Sequence, residues 1–554
     1  MQWQLQDTDQ FSPGMIQYYA RQFLLPPFLT KVLLTAGITN EDLYYTYAYP
    51  SLSDLHNPYL FKDMKKAVYR IYQAIVLNQK ICIFGDYDAD GMTSSALLYR
   101  ALCFLKGNVS VRVPTRLEGY GLTAEAVERI AEEHPALIIT VDNGSNSHEA
   151  LAAAVAKGID VIVTDHHEIT GGLPRCYAFI NPKRNDDTYP CTHLCGAGVA
   201  FKVVQALFAV RKDLDWYKYA WDYLELVALG TVADLMPLVG ENRTLVKLGL
   251  YKMNNDPSEP FKKLFQLLRL SNIDSSTISF LIAPIFNSVG RIGNPNFAVK
   301  LLTEKVSRED AIIFMIDLNE KRKYLTEVQF GEVDETIQRL RLYSQDLIVV
   351  ADQLHEGLIG ILAAKITEKY QKPAIVFTER GKGSARSVSN TSFSIVDAIQ
   401  NCSQYLKTFG GHHAAAGLSL EINQLPSFTA AIQIAARKQS IVQPSKMFHH
   451  KLSIQKFDDE LFEHHLMMEP FGIGNEKPLY YSSAIPSHYR VEHFGRDQIH
   501  ASLHFHRKKA LAFYKAPIFP SAQSRHIEFL YSVNSYHKKD FIIDALSLND
   551  VRRQ

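Results

Sequence analysis

The stretch K-I-C-I-F-G-D-Y-D-A-D-G-M-T-S-S-A-L-L-Y-R-A, Lys80 to Ala101, decides the fold. Ile81 to Phe84 is an apolar run short enough for a buried strand, and Gly85 breaks it. Asp86, Asp88 and Asp90 follow at alternate positions, Gly91 permits a tight turn, and Thr93-Ser94-Ser95 opens an amphipathic run that fits a helix. Three carboxylates at the carboxyl end of a strand repel one another unless protons or cations compensate, and open α/β sheets bind ligands at that edge. A calcium loop of the EF-hand type would need a Glu where Leu97 stands. Taken alone, the segment leaves a divalent-metal site and a plain acidic turn as alternatives.

The 554 residues are too many for one core and predict three or four domains, and an apolar fraction of 47% is that of a soluble globular protein. The longest apolar candidate, near Leu224 to Val239, is broken by Glu225 and Asp234, so no membrane span is expected. The first ten residues lack a basic head and an apolar core, so no signal peptide is expected. Six scattered cysteines fit reduced thiols in a cytoplasmic protein. Cys191 and Cys195 flank His193, but no second pair completes a zinc site. A net charge of +1 confines any polyanion surface to a local region. From Arg490 onward eleven Lys/Arg face six Asp/Glu, which makes that segment the basic one.

From Leu60 to Pro237 strand and helix patterns alternate, which predicts a parallel sheet covered on both faces. Strands are expected at 109–113, 136–141 and 160–164, with helices at 64–77, 125–133 and 148–157. Asp142-Asn143-Gly144-Ser145 follows one strand, and Asp165-His166-His167 follows the next. Three strands thus deliver Asp88 and Asp90, Asp142 and His166 to one edge, a metal-site constellation. Carboxylate and imidazole without thiolate favour manganese or magnesium. Asp234 follows the apolar run 226–232 and reads alone as either a fourth ligand or a helix cap.

G-D-Y-D-A-D-G, V-D-N-G-S, T-D-H-H and A-L-G-T-V-A-D resemble the four phosphoesterase motifs of the DHH superfamily. Gly410-Gly411-His412-His413-Ala414-Ala415-Ala416-Gly417 resembles the signature of the associated DHHA1 domain. Segments around Arg116, Asn287 to Arg291, His355-Glu356-Gly357 and Glu469 to Pro478 resemble those of the RecJ family, single-strand-specific DNA exonucleases. One departure stands out. The family usually reads P-R-x-N before A-A-G-R, whereas Pro284-Ile285-Phe286-Asn287 stands here, so a basic contact is missing or is supplied by Arg291.

The resemblance implies an α/β protein: a DHH parallel-sheet domain and a smaller DHHA1 domain joined by a helical connector, plus a carboxyl-terminal OB-like barrel. The expected boundaries are 1–60 for an amino-terminal packing segment on the next domain, 61–300 for DHH, 301–345 for the connector, 346–430 for DHHA1 and 431–554 for the OB-like domain. Most of the connector is expected to be a solvated helix face. Glycine-rich turns at 381–383 and 410–411 permit close backbone approach to a phosphate beside Arg386 and His412. Short strands after residue 445, with Tyr and Phe among Arg507-Lys508-Lys509, Lys515 and Lys538-Lys539, suit a single-strand-binding barrel.

The activity implied is metal-dependent hydrolysis of single-stranded DNA from its 5′ end to mononucleotides, in DNA repair and recombination. By the resemblance, Asp142 bridges two Mn²⁺ or Mg²⁺ ions, Asp90, His166 and Asp234 hold one, and Asp88 with Asp86 holds the other. His167 then touches the scissile phosphate, Asp165 orients an imidazole, and Arg116, Arg291 and Arg386 with the Gly410-Gly411-His412 turn bind neighbouring phosphate. A single-strand-binding protein and a helicase are the protein partners implied, with the enzyme a cytoplasmic monomer. Other superfamily members cleave pyrophosphate, short oligonucleotides or cyclic dinucleotides, and a replication scaffold with a dead site is a further alternative. The barrel and the chain length favour a polymer substrate, and complete metal ligands argue against the scaffold.

Overall fold

A computed structural model describes residues 3–6, 10–304, 308–389, 391–439, 446–495, 498–519, 526–534 and 540–549. Lys538 and Lys539 lie outside the described residues.

The first lobe is built on five parallel strands in the order Asn108–Arg112, Lys80–Phe84, Leu137–Val141, Asp160–Thr164, Ala178–Ile180. The central strands are apolar along their length because helices bury both of their faces. Phe84 pairs with Thr140 and Val141 with Thr164, so the loops after three neighbouring strands leave the sheet at one level. The strand and helix expectations hold within one or two residues, as in Asp160–Thr164 and the helix His148–Ala156. The run before Asp234 is the helix Leu224–Ala233, and Asp234 is its carboxyl-terminal cap. Nine of that helix's residues are buried, so it shows no amphipathic period.

The second lobe has a mixed sheet in the order Thr408–His412, Ala415–Ser419, Lys382–Arg386, Ala374–Thr378, Ile348–Asp352, in which only the last pair is parallel. The 31-residue helix Glu309–Arg339, about 46 Å long, joins the lobes. Ala311, Ile312, Met315 and Leu318 enter the first lobe's core, while Val333 and Ile337 enter a cluster with Leu358, Leu362 and Ile366. The connector is therefore anchored at both ends by one face, while its other face is solvated as expected.

At the carboxyl end lies a seven-stranded sheet with His450–Lys451 and Arg490–Phe494 at its edges. Among the described residues no pairing joins these two edge strands. Closure depends on strand tilt and stagger, which the alternation of short strands does not encode. The amino-terminal segment forms three helices, Pro13–Phe23, Pro27–Thr35 and Glu41–Ala48. Phe23, Leu29, Leu33 and Tyr47 pack with Met468 and Phe471, so much of this layer covers the far end of the chain rather than the next domain. Among the described residues no helix is long and apolar enough to cross a membrane.

Candidate metal centre

Asp86 lies in the loop after Lys80–Phe84, Asp88 caps the helix Ala89–Phe104 by accepting from the Gly91 N–H at 3.0 Å, and Asp90 sits in its first turn. Gly91 is obligatory, because a Cβ there would stand 2.4 Å from the Asp86 carbonyl oxygen. Asp142 ends its strand at φ 63°, a left-handed conformation that Asp tolerates better than most residues. His166 Nε2 is 3.0 Å from Asp142 Oδ1, 3.5 Å from Asp234 Oδ2 and 3.8 Å from Asp90 Oδ2. Among the described residues three sets of donor atoms, each within 4.8 Å of one another, result: Asp90 with His166 and Asp234; Asp86 with Asp88 and Asp142; and Asp142 with Asp165, His166 and His167. Asp142 belongs to the last two and lies against His166 of the first.

Burial and then the neighbouring carboxylates push the acids upward: Asp90 to about 6, Asp234 to about 8, and Asp86 and Asp142 well above the ordinary range. Burial, followed by the charge on His167, drives His166 down to about 3, leaving a neutral imidazole. Asp86 Oδ1, Asp142 Oδ1, Asp234 Oδ2 and His166 Nδ1 are buried without hydrogen-bond partners. Crowded carboxylates with orphaned oxygens beside a neutral imidazole are the donor set of a hard divalent cation, so these residues fit manganese or magnesium. Cys191 and His193 fall in no such set among the described residues.

The helix Gly196–Val210 points its amino end at Asp90, with the Gly196 and Ala197 N–H groups donating at 2.6 and 2.8 Å. A Cβ on Gly196 would lie 2.5 Å from that of Asp142, and one on Gly230 2.4 Å from Asp90 Oδ1. Sequence reading missed both glycines. Their need for smallness comes from partners far along the chain, although Gly196 does stand at a helix start.

His167 Nδ1 is 2.7 Å from Asp165 Oδ1, and its Nε2 is 2.9 Å from the Tyr120 hydroxyl. Burial opposes its charge, but the hydrogen bond and charge of Asp165 outweigh this and raise it to about 9. Asp165 thus orients the second imidazole of the pair and is held well below the carboxylate range despite its own burial.

Beside the Asp86 end lies a group of arginines. Arg116 stacks 4.4 Å above the Tyr87 ring, with its Nε buried and unbonded. Arg291 donates to the Gly357 carbonyl of the other lobe at 3.1 Å. Burial, then Arg116, Arg322 and Arg386, lowers Arg291 to about 10, so four guanidinium groups share one region. Arg322, from the connector, is the member the sequence reading missed, since one cation on a charged helix carries no signal. Gly410, Gly411 and His412 are not in a turn. They form the exposed strand Thr408–His412, because the chain reverses after them at His413-Ala414. His412 pairs with Ala415 and Ala415 with Arg386, which puts His412 in the same row as Arg386, two strands away. Ile285 is 3% exposed and sits among Phe261, Leu264, Ile312 and Met315, so no phosphate contact arises there.

The DHH family, N-terminal domain, is matched over residues 80–231 and the DHHA1 domain over 344–438. The single-stranded-DNA-specific exonuclease RecJ of Dickeya dadantii is 36% identical over 404 residues, which cover 68% of this chain and 70% of that one. The Bacillus subtilis protein of the same name is 33% identical over 491 residues, covering 86% of this chain; the chain spans only 61% of that relative's length. The crystal structure of RecJ in complex with Mn²⁺ from Thermus thermophilus superimposes with a TM-score of 0.84 at 24% identity, covering 99% of this chain and 80% of that one. The two matched domains are the lobes that carry the acidic centre and Arg386, and the sequence likeness extends well beyond either; the chain belongs to the RecJ family.

Proposed function

We propose that this chain is a metal-dependent exonuclease that hydrolyses single-stranded DNA from its 5′ end to mononucleotides, in DNA repair and recombination. The observation that supports this most is the gathering of Asp86, Asp88, Asp90, Asp142, His166 and Asp234 into sets whose ligand atoms lie within 4.8 Å of one another, bordered by four arginines. Asp90, His166 and Asp234 would hold one ion, Asp86 and Asp88 the other, and Asp142 would be shared. Two divalent ions so bound supply charge neutralisation at the phosphate and a nucleophile at neutral pH.

The chain's own residues do the rest. His167 is held charged by Asp165 and fixed between Asp165 and Tyr120, so it sets a positive charge beside the acidic centre that would attract a phosphate. Arg116, Arg291 and Arg386 would take the terminal 5′-phosphate, since planar guanidinium groups bind such a dianion in paired fashion. Arg291 and Arg386 come from different lobes, so the pocket is complete only with both in place. A cytoplasmic monomer acting with a single-strand-binding protein and a helicase belongs to the same reading. The test is release of mononucleotides from end-labelled single strands with and without manganese. Metal-independent release, or digestion starting at the 3′ end, would sink it.

A further inference from the structure

An apolar groove of about 320 Å³ begins one residue beyond Asp234. Leu235 and Met236 form one wall, Phe280 the second, and Phe471 and Ile473 the third, with Glu476 and Lys477 also lining it. The walls are fixed to one another: the Leu238 N–H donates to the Ile473 carbonyl at 2.7 Å, and Ser275 Oγ donates to the Phe471 carbonyl at 2.6 Å. Gly472 is held so close to Leu238 that a Cβ would stand 2.8 Å from its side chain. Against this rigid frame Phe280 is 76% exposed, Leu235 60% and Ile473 51%. Phe280 lies in the π-helical turn Ile278–Ile282, a local irregularity of a kind frequent at functional sites. Exposed apolar surface of this kind beside a reaction centre marks a contact site.

The position of the groove selects its occupant. Arg116 stacks on Tyr87, between Asp86 and Asp88, and the helix that carries Arg291 packs Gly290 against the Tyr87 carbonyl, so these arginines border the Asp86–Asp88 end of the acidic centre. Asp234 belongs to the other donor set, with Asp90 and His166. A strand whose 5′-phosphate sits among the arginines therefore crosses the acids and leaves past Asp234 into the groove.

Resting on the function proposed above, we infer that this groove takes the unstacked bases just 3′ of the scissile phosphate, with Phe280 as their stacking platform and Leu235 and Ile473 as its apolar flanks. Every base has a π-face, so such a platform holds a single strand without regard to sequence, and a duplex cannot offer it unstacked bases.

The test is equilibrium binding of a 5′-phosphorylated, 3′-fluorescein-labelled single strand, followed by anisotropy in EDTA so that nothing is cut. Two strands are compared, one with all its bases and one abasic at the second to fourth nucleotides. Phe280→Ala should weaken binding of the complete strand about tenfold, the range for one base on one ring, and the abasic strand no further than its own loss in the wild type. Phe280→Trp should retain wild-type affinity for the complete strand. Equal weakening of both strands, or of neither, overturns the inference, the second result meaning that the patch serves another partner. Failure of the wild type to bind or digest single strands would instead overturn the proposed function.

Discussion

Asp142 shows what a single residue contributes here. It ends a buried strand, adopts φ 63°, and lies between Gly196, which could not carry a Cβ, and His166 Nε2 at 3.0 Å. Asn is the substitution that preserves shape and tolerates the left-handed backbone while removing the anionic oxygen. Asp142→Asn should lower turnover more than about 100-fold, beyond the usual loss for a supporting residue of a metal site, while strand binding in EDTA stays near wild type. Activity within a few-fold of wild type would show that Asp142 is not shared between two ions. The residue was legible in the sequence because an acid directly after an apolar run is a local pattern. Gly196 and Gly230 were not, because their constraint is set by Asp142 and Asp90, more than fifty residues away in each case.

Elements explain which parts of the site the sequence left ambiguous and which stayed hidden. Asp234 comes from a helix buried on all sides, and short apolar runs of that kind read equally as strand or helix. Arg322 comes from the connector, where it donates from Nε to Asn319 Oδ1 at 3.1 Å on the face turned toward Arg291. Arg322→Gln should cut the preference for 5′-phosphorylated over 5′-hydroxyl strands about tenfold, the worth of one charge-assisted contact, with initial rates on the two strands as the measurement. An unchanged ratio would make Arg322 a structural residue of the connector. The helix Gly240–Asn255 carries a different buried cation. Lys247 donates to the Met467 carbonyl at 2.7 Å, and burial, then the Arg243 charge, pushes it down to about 7. An unfolded lysine titrates near about 10.4, so between the two values the unfolded chain binds more protons and stability rises with pH. Below about 7 both states are charged and the deficit is constant. The difference in melting temperature between wild type and Lys247→Met should therefore shift in favour of the wild type from pH 7 to pH 10. A difference flat across that range would mean that Lys247 reaches solvent.

Across the whole molecule, the parallel sheet and the order of the two lobes were legible because each is encoded by short-range period, whereas the covering of residues 461–471 by the amino-terminal helices was not. That contact joins segments more than four hundred residues apart, and no local pattern in either reports it. Its consequence bears on the carboxyl-terminal region. Arg243 is buried, stacks 3.5 Å over the Tyr47 ring, and donates to the Tyr47, Glu469 and Pro470 carbonyls at 3.1, 2.8 and 3.2 Å. Removing everything after residue 443 strips away two of those carbonyls and the Lys247 acceptor, leaving Arg243 with Tyr47 alone and Lys247 without its acceptor. Such a truncation should lower the melting temperature and slow cleavage of very short and long strands alike, which would say nothing about strand binding. The binding role is separable at the turn between His500–Phe505 and Lys508–Ala512, where Arg507 and Lys508 are followed by Lys509. Replacing all three by Gln leaves the 461–471 contacts untouched. If these cations track the backbone of a bound strand, the slope of log affinity against log salt should shrink by about 2, near 0.7 per phosphate lost, for long strands and not for strands of three or four nucleotides. An unchanged slope on long strands would place the cationic track on another face of the sheet.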